Sequence, residues 1–255
     1  MKADVLVAEI GSTTTLINAF CGIRSGEPKF IGQGQAPTSV LEGDVRIGLN
    51  GAIEDLKANL GADKIEYGEM LATSSAAGGL RMCVHGLVYD MTVKAAEAAA
   101  LGAGAIVTMA TAGKLSEYDI EDLKEAKPNL ILLAGGTDYG EKETALFNAR
   151  MIAASGVKAP VIYAGNVQNK RAVEDIFQKA GISCTGTENV YPKLDKLNIE
   201  PARKIIHQVF EEHIIKAPGM EHIRDMVTGH IMPTPGAVME AVQLAYNEIG
   251  EGVAV

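Results

Sequence analysis

Glu9-Ile10-Gly11-Ser12-Thr13-Thr14-Thr15 sets an acid, a glycine and a run of hydroxyls directly after the apolar stretch Val5-Leu6-Val7-Ala8. A phosphate is held by backbone N–H groups that no Cβ obstructs and by short hydroxyls as further donors. Gly11 with Ser12, Thr13, Thr14 and Thr15 supplies both. Thr14 to Phe20 reads as strand again, so the turn joins two antiparallel strands as a hairpin. This argues against a P-loop, whose glycine loop opens a helix and ends in Gly-Lys-Ser/Thr. It also argues against a dinucleotide fingerprint, since no Gly-x-Gly-x-x-Gly follows the first strand. The same residues also fit a tight hairpin with β-branched threonines and no ligand, and that alternative stays open.

Leu130-Ile131-Leu132-Leu133-Ala134-Gly135-Gly136-Thr137-Asp138 is a second such place, a buried strand ending in a glycine turn with a hydroxyl and a carboxylate. Parallel sheets bind ligands at the carboxyl ends of their strands, where this turn would fall. Asp138 could hold a metal, a ribose or a partner's cationic group, with Gly135, Gly136 and Thr137 around the same ligand. Equally, Asp138 caps a turn and the glycines relieve strain. In Ala72-Thr73-Ser74-Ser75-Ala76-Ala77-Gly78-Gly79-Leu80-Arg81, the hydroxyls could line a cleft and Arg81 could neutralise a phosphate, although small residues in a turn more often serve close packing. Asn166, after Val161-Ile162-Tyr163-Ala164-Gly165, reads as a helix cap. The histidines show no His-x-x-x-His pair and His85, in an apolar strand, reads as structural. No Gly-x-Ser-x-Gly elbow is present, and no acid/base or nucleophile pair is visible.

These residues must be positioned by alternating strands and helices, the pattern of an α/β protein. Strands are predicted over Asp4–Glu9, Thr14–Phe20, Phe30–Ala36, Glu69–Thr73, Leu80–Tyr89, Ala105–Met109, Leu130–Ala134, Val161–Ala164 and Ile182–Thr185. Helices are predicted over Asp44–Leu60, Thr92–Leu101, Ile120–Glu125, Lys142–Ser155, Lys170–Ala180, Glu200–Ile215, Glu221–Val227 and Pro235–Ile249. The four strands from Ala105 to Thr185 are nearly uniformly apolar, as expected of a parallel sheet covered on both faces. The hairpin and Phe30–Ala36 read as antiparallel. Residues 1–104 are therefore expected to form a lobe carrying the first phosphate turn, residues 105–190 an inserted parallel α/β subdomain, and residues 191–255 a helical segment returning to the lobe.

Composition bounds the rest. With 47% hydrophobic residues, 22% charged, 28 glycines and no tryptophan, the 255-residue chain is that of a globular protein. Its net charge of −9 counts against nucleic acid as the main partner. Cys21, Cys83 and Cys184 lie in apolar runs without Cys-x-x-Cys spacing and read as core residues of a reducing compartment. With no apolar run of membrane-spanning length and no signal-like start, a cytoplasmic location and no membrane partner are expected.

A strand, a Glu/Asp-x-Gly-Ser/Thr-Thr-x-Thr turn and a second strand resembles the first phosphate motif of the actin, sugar kinase and Hsp70 superfamily of ATPases. In that superfamily the acid is usually Asp acting through a metal-bound water, where this chain has Glu9. Across the whole length the ordered segments 7–15, Gly32-Gln33-Gly34-Gln35-Ala36-Pro37-Thr38-Ser39-Val40, 72–80, 132–138, Tyr163-Ala164-Gly165-Asn166 and Pro233-Thr234-Pro235-Gly236-Ala237-Val238 resemble the MutL-type (GlmL) accessory proteins of adenosylcobalamin-dependent glutamate mutase. These are unrelated to the mismatch-repair proteins of the same name.

The resemblance implies an actin-like (ribonuclease H-like) ATPase lobe, ATP and Mg as cofactors, mutase subunits as partners, and a role in exchanging damaged cobalamin for intact cofactor. It implies Glu9 and Gly11 to Thr15 around the nucleotide, with Glu9 at the metal; Gly135 to Asp138, read from their strand-end position, are the further candidates for the same nucleotide, with Asp138 at the metal. Proteins of that family are longer, and Gly252-Val253-Ala254-Val255 looks like the start of a further strand carrying a second phosphate turn. The expectation is therefore a fragment that alone binds ATP weakly and hydrolyses little, with an exposed strand edge that invites a homodimer. A different class stays open, a non-catalytic binding module whose 105–185 lobe contacts a mutase subunit while the phosphate turn is vestigial.

Overall fold

The computed structural model describes residues 1–39, 42–76, 79–214 and 219–250. The expected strand at Gly252–Val255 and the parts of the small-residue segments at Val40, Ala77 and Gly78 lie outside the described residues, as does Ile215. The chain forms two compact units, Met1–Gly79 with Phe210–Val255, and Leu80–Val209, so the second is inserted between two stretches of the first.

The first unit opens with β1 (Lys2–Ile10), β2 (Thr14–Cys21) and β3 (Lys29–Pro37), an antiparallel meander. Then come α1 (Val45–Asn59) and β4 (Glu66–Ser74), which pairs parallel to β1. Burial alternates along β1 and β2, so one face carries Leu6, Ala8, Ile10, Ile17 and Ala19 into the core. Leu49, Ala52 and Leu56 of α1 cover that core. Gly34 of β3 lets the helix approach: a Cβ there would run into the Ala52 carbonyl and the Leu56 amide. Asp44 caps α1, accepting from the Arg46 amide at 2.9 Å.

The second unit contains β5 (Arg81–Gly86), α2 (Lys94–Gly102), β6 (Ile106–Ala112), α3 (Glu117–Ala126), β7 (Leu130–Leu133), α4 (Glu143–Ala154), β8 (Val161–Tyr163), α5 (Lys170–Lys179) and β9 (Cys184–Gly186). Its sheet is parallel throughout in the order β6-β5-β7-β8-β9. The first strand thus has the second on one side and the third on the other, the doubly wound arrangement with its switch point between β5 and β7. Every residue of β7 and β8 is buried, as their apolar runs predict. The edge strands β6 and β9 are half-exposed, correcting the expectation that all four strands from Ala105 to Thr185 are covered on both faces. Because β5 pairs with β6 and β7, the parallel sheet begins at Arg81, ahead of residue 105.

The strand predicted over Leu80–Tyr89 stops at Gly86. The Thr92 hydroxyl takes the amides of Leu87 and Val88 at 2.8 and 3.0 Å and folds the chain into a π-helical turn at Tyr89–Val93. The α3 helix starts at Glu117, three residues before its predicted start, because Ser116 and Asp119 form a capping box. Beyond β9, α6 (Glu200–Ile214) returns the chain to the first unit, followed by α7 (Met220–Met226), β10 (Ile231–Pro233) and α8 (Thr234–Ile249). β10 is absent from the sequence-based expectation and pairs parallel to β4, completing the order β10-β4-β1-β2-β3. Among the described residues no helix is long and apolar enough to cross a membrane.

Candidate functional site

In the first unit, β1, β4 and β10 run parallel, so their carboxyl ends share one edge of the sheet. Three segments that lie far apart in sequence arrive there. The first is the hairpin turn: the Gly11 amide donates to the Thr14 carbonyl at 3.0 Å, while Ser12, Thr13 and Thr14 are exposed. Among the described residues the Ser12 and Thr13 amides have no hydrogen-bond acceptor in the protein. The second is the end of β4, where the Ile10 carbonyl accepts from the Ser75 amide at 2.9 Å and the Ser74 hydroxyl at 3.2 Å. The third is the start of α8, whose Pro233 N-cap gives no side-chain cap and whose Thr234 hydroxyl donates to that of Thr73 at 3.4 Å. Two inter-strand spacings separate β1 from β10, on the order of 10 Å.

Glu9 sits opposite Thr73 in the β1–β4 register, half-buried, and among the described residues its carboxylate makes no hydrogen bond or ion pair. Thr15 differs from its hydroxyl neighbours. It is fully buried, its hydroxyl bonded to that of Thr38 at 2.8 Å, so it locks β2 to the segment after β3 and presents no donor to solvent.

The Gly135-Gly136-Thr137-Asp138 turn belongs to the second unit, at the carboxyl end of β7. Its glycines answer to the protein's own chain. A Cβ on Gly136 would strike the Glu141 carbonyl, and Gly135 lies against Gly165 closely enough that a Cβ on the latter would meet its amide. Asp138 Oδ1 accepts from the Val167 amide and from Asn189 Nδ2, each at 3.0 Å. Asn166, fully buried, ties the same loops: its Oδ1 accepts from Tyr139 and Gln168, and its Nδ2 donates to the carbonyls of Gly140 and Glu141. It caps the 3-10 turn Val167–Asn169, as its place in the sequence predicts. Between these loops and the 187–198 segment lies a cleft of about 300 Å³, bordered by Asp138, Thr187, Glu188, Asn189, Lys196 and Asn198. All but Asp138 are absent from the sequence-based candidates, since no glycine turn or motif marks that segment.

Arg81 stands at the start of β5, away from the carboxyl ends, and its guanidinium bonds the Lys127 carbonyl. His85 is buried at the end of β5; its Nδ1 meets the Thr111 hydroxyl at 2.7 Å while Nε2 has no partner, and burial pulls its pKa down to about 4. Burial raises the Cys83 and Cys184 thiols, the latter to about 12, so both stay protonated as core residues do. Among the described residues no three His, Cys, Asp or Glu side chains form a metal-holding cluster.

Residues 5–255 match the family described as MutL protein. The chain belongs to that family. A curated MutL relative, Protein MutL of Clostridium tetanomorphum, is 45% identical over 206 residues, covering 81% of this chain and 45% of the relative. The matched stretch of this MutL-family chain therefore spans less than half the length of that relative. Among solved structures, the nucleotide-free acetone carboxylase from work on the mechanism of ATP-dependent acetone carboxylation aligns with 97% of this chain and 41% of its own. Its 17% identity and TM-score of 0.44 carry no functional argument.

Proposed function

We propose that this MutL-family chain is the nucleotide-binding part of an accessory factor for adenosylcobalamin-dependent glutamate mutase, working in the cytoplasm through an actin-like lobe. The observation that carries the nucleotide reading is the convergence of the Gly11–Thr13 turn, the Thr73–Ser75 strand end and the uncapped start of α8 on one edge of one sheet. These residues fit a polyphosphate. The Ser12 and Thr13 amides lack partners among the described residues, the Ser12, Thr13 and Thr14 hydroxyls are exposed while those of Thr73, Ser75 and Thr234 are half-buried, and the first turn of α8 carries the partial positive charge of a helix N-terminus. A magnesium ion would be held as such ions commonly are with nucleotides, by phosphate oxygens and water with one carboxylate, here Glu9. Bound Mg·ATP would supply the differential affinity that shifts a two-state closure, the means by which an accessory factor opens a client enzyme. Thr15 holds the turn's shape from within the sheet, and the Gly135–Asp138 turn is assigned no phosphate.

The test is calorimetry of Mg·ATP with the 255-residue chain and with a Ser12→Ala/Thr13→Pro variant, which removes one amide and two hydroxyls. The expected result is weak binding, high micromolar or poorer, with little turnover, and loss of binding in the variant at unchanged thermal stability. Tight binding that survives the variant would overturn the site. The mutase role is tested separately, by whether inactivated glutamate mutase regains activity with the whole MutL protein, ATP and fresh adenosylcobalamin.

A further inference from the structure

We propose that the cleft at the carboxyl ends of β7, β8 and β9 binds a small zwitterionic α-amino acid. It stands in the second unit and does not rest on the nucleotide reading. The cleft's position is the one open parallel sheets use for ligands, where loops leave the strands and diverge. Its rim is held in place from beneath. Asn189 is buried, and its Nδ2 donates to the Gly136 carbonyl and to Asp138 Oδ1 while its Oδ1 accepts from the Tyr191 amide. Asn198 Nδ2 donates to Glu188 Oε2 at 3.0 Å and to the Asn189 carbonyl at 3.2 Å.

What the network leaves over defines the ligand. With Asp138 Oδ1 and Glu188 Oε2 engaged, Asp138 Oδ2, Glu188 Oε1, Asn198 Oδ1 and the Thr187 hydroxyl have no partner among the described residues. These acceptors call for a group with several N–H donors and a positive charge, and an ammonium has three. The Lys196 ammonium, exposed at the rim and likewise without a partner among the described residues, calls for a carboxylate. An α-amino acid carries both charges one carbon apart. A cleft of about 300 Å³ lies at the small end of the range for ligand sites, in keeping with a ligand of that size.

Titration of the isotope-labelled chain with L-alanine and L-glutamate, followed by NMR, tests the proposal. Methylamine and acetate serve as the single-charge arms. The expected result is saturable shifts at the amides of 137–140 and 187–198, with millimolar or tighter affinity for an amino acid and at least tenfold weaker binding of methylamine and acetate. Asp138→Asn keeps an acceptor for Val167 and Asn189, and Lys196→Ala alters only an exposed side chain. Each should weaken amino-acid binding at least tenfold with the spectrum otherwise unchanged, whereas Ser12→Ala/Thr13→Pro should leave it intact. Absence of saturable shifts, undiminished wild-type affinity in both cleft variants, or equal binding of methylamine would overturn it. Should Asp138→Asn disturb the fold, Glu188→Gln provides the same test from the rim.

Discussion

The Nε2 of His85 is the one buried side-chain nitrogen or oxygen left without a partner among the described residues, and the consequence is a pH dependence of known sign. Burial holds the folded-state pKa near 4 against 6.5 when exposed, so the neutral ring belongs to the folded state. Its contribution is therefore complete above pH 6.5 and is lost as pH falls toward 4, about 3 kcal/mol across that window. Urea unfolding of the wild type and of His85→Gln between pH 7 and pH 4.5 should show a steeper decline for the wild type; parallel curves would refute the assignment. Asn166 gives a second prediction at this scale. Asn166→Ala strands two amides and two carbonyls, and should cost about 3 kcal/mol in chemical unfolding. Its capping role was legible because Asn after a strand-ending glycine is a frequent cap. The role of Thr15 was not: sequence places it among four hydroxyls, and only the β2 alternation, which turns every second residue inward, separates it from Ser12, Thr13 and Thr14.

Among the elements, what was legible followed from periodicity and what was missed depended on neighbours. The β1–β2 hairpin and α1 declare themselves by burial patterns of period two and of helical spacing. β10, only three residues long and ending in proline, has no signal of its own and exists because β4 offers an unpaired edge. Apolar composition likewise did not distinguish the inner strands β7 and β8 from the edge strand β6, since strand order is a property of the sheet. The fit of α1 on its sheet is open to test. Gly34→Ala places a methyl against helix backbone, which cannot rotate away, and should cost about 2 to 3 kcal/mol. Gly26, with a left-handed φ of 78° and open space around it, should accept asparagine at under about 1 kcal/mol. Equal loss of thermal stability in the two variants would show that the close approach of α1 is not what Gly34 provides.

At the scale of the whole molecule, an all-parallel unit inserted within a mixed-sheet unit gives the chain two sets of strand ends, lined by different groups. The sequence displayed both glycine turns, at Gly11 and at Gly135, and invited their assignment to one nucleotide. The chemistry at the two differs. The first leaves amides and hydroxyls uncommitted, which suits an anion, whereas the second has spent its glycines on close packing of its own chain and leaves mainly acceptors. Hydrogen exchange with saturating Mg·ATP should therefore slow the amides of 11–15, 73–76 and the first turn of α8, with no added protection at 135–140 or 187–198. An amino acid should do the reverse. Ligand binding protects directly where it closes backbone donors, by up to RT ln(1 + [L]/Kd), about 2.7 kcal/mol at a hundredfold excess over Kd. Protection of the Gly135–Asp138 turn by Mg·ATP alone would return that turn to the nucleotide and remove the ground for treating the two sets of strand ends as chemically distinct.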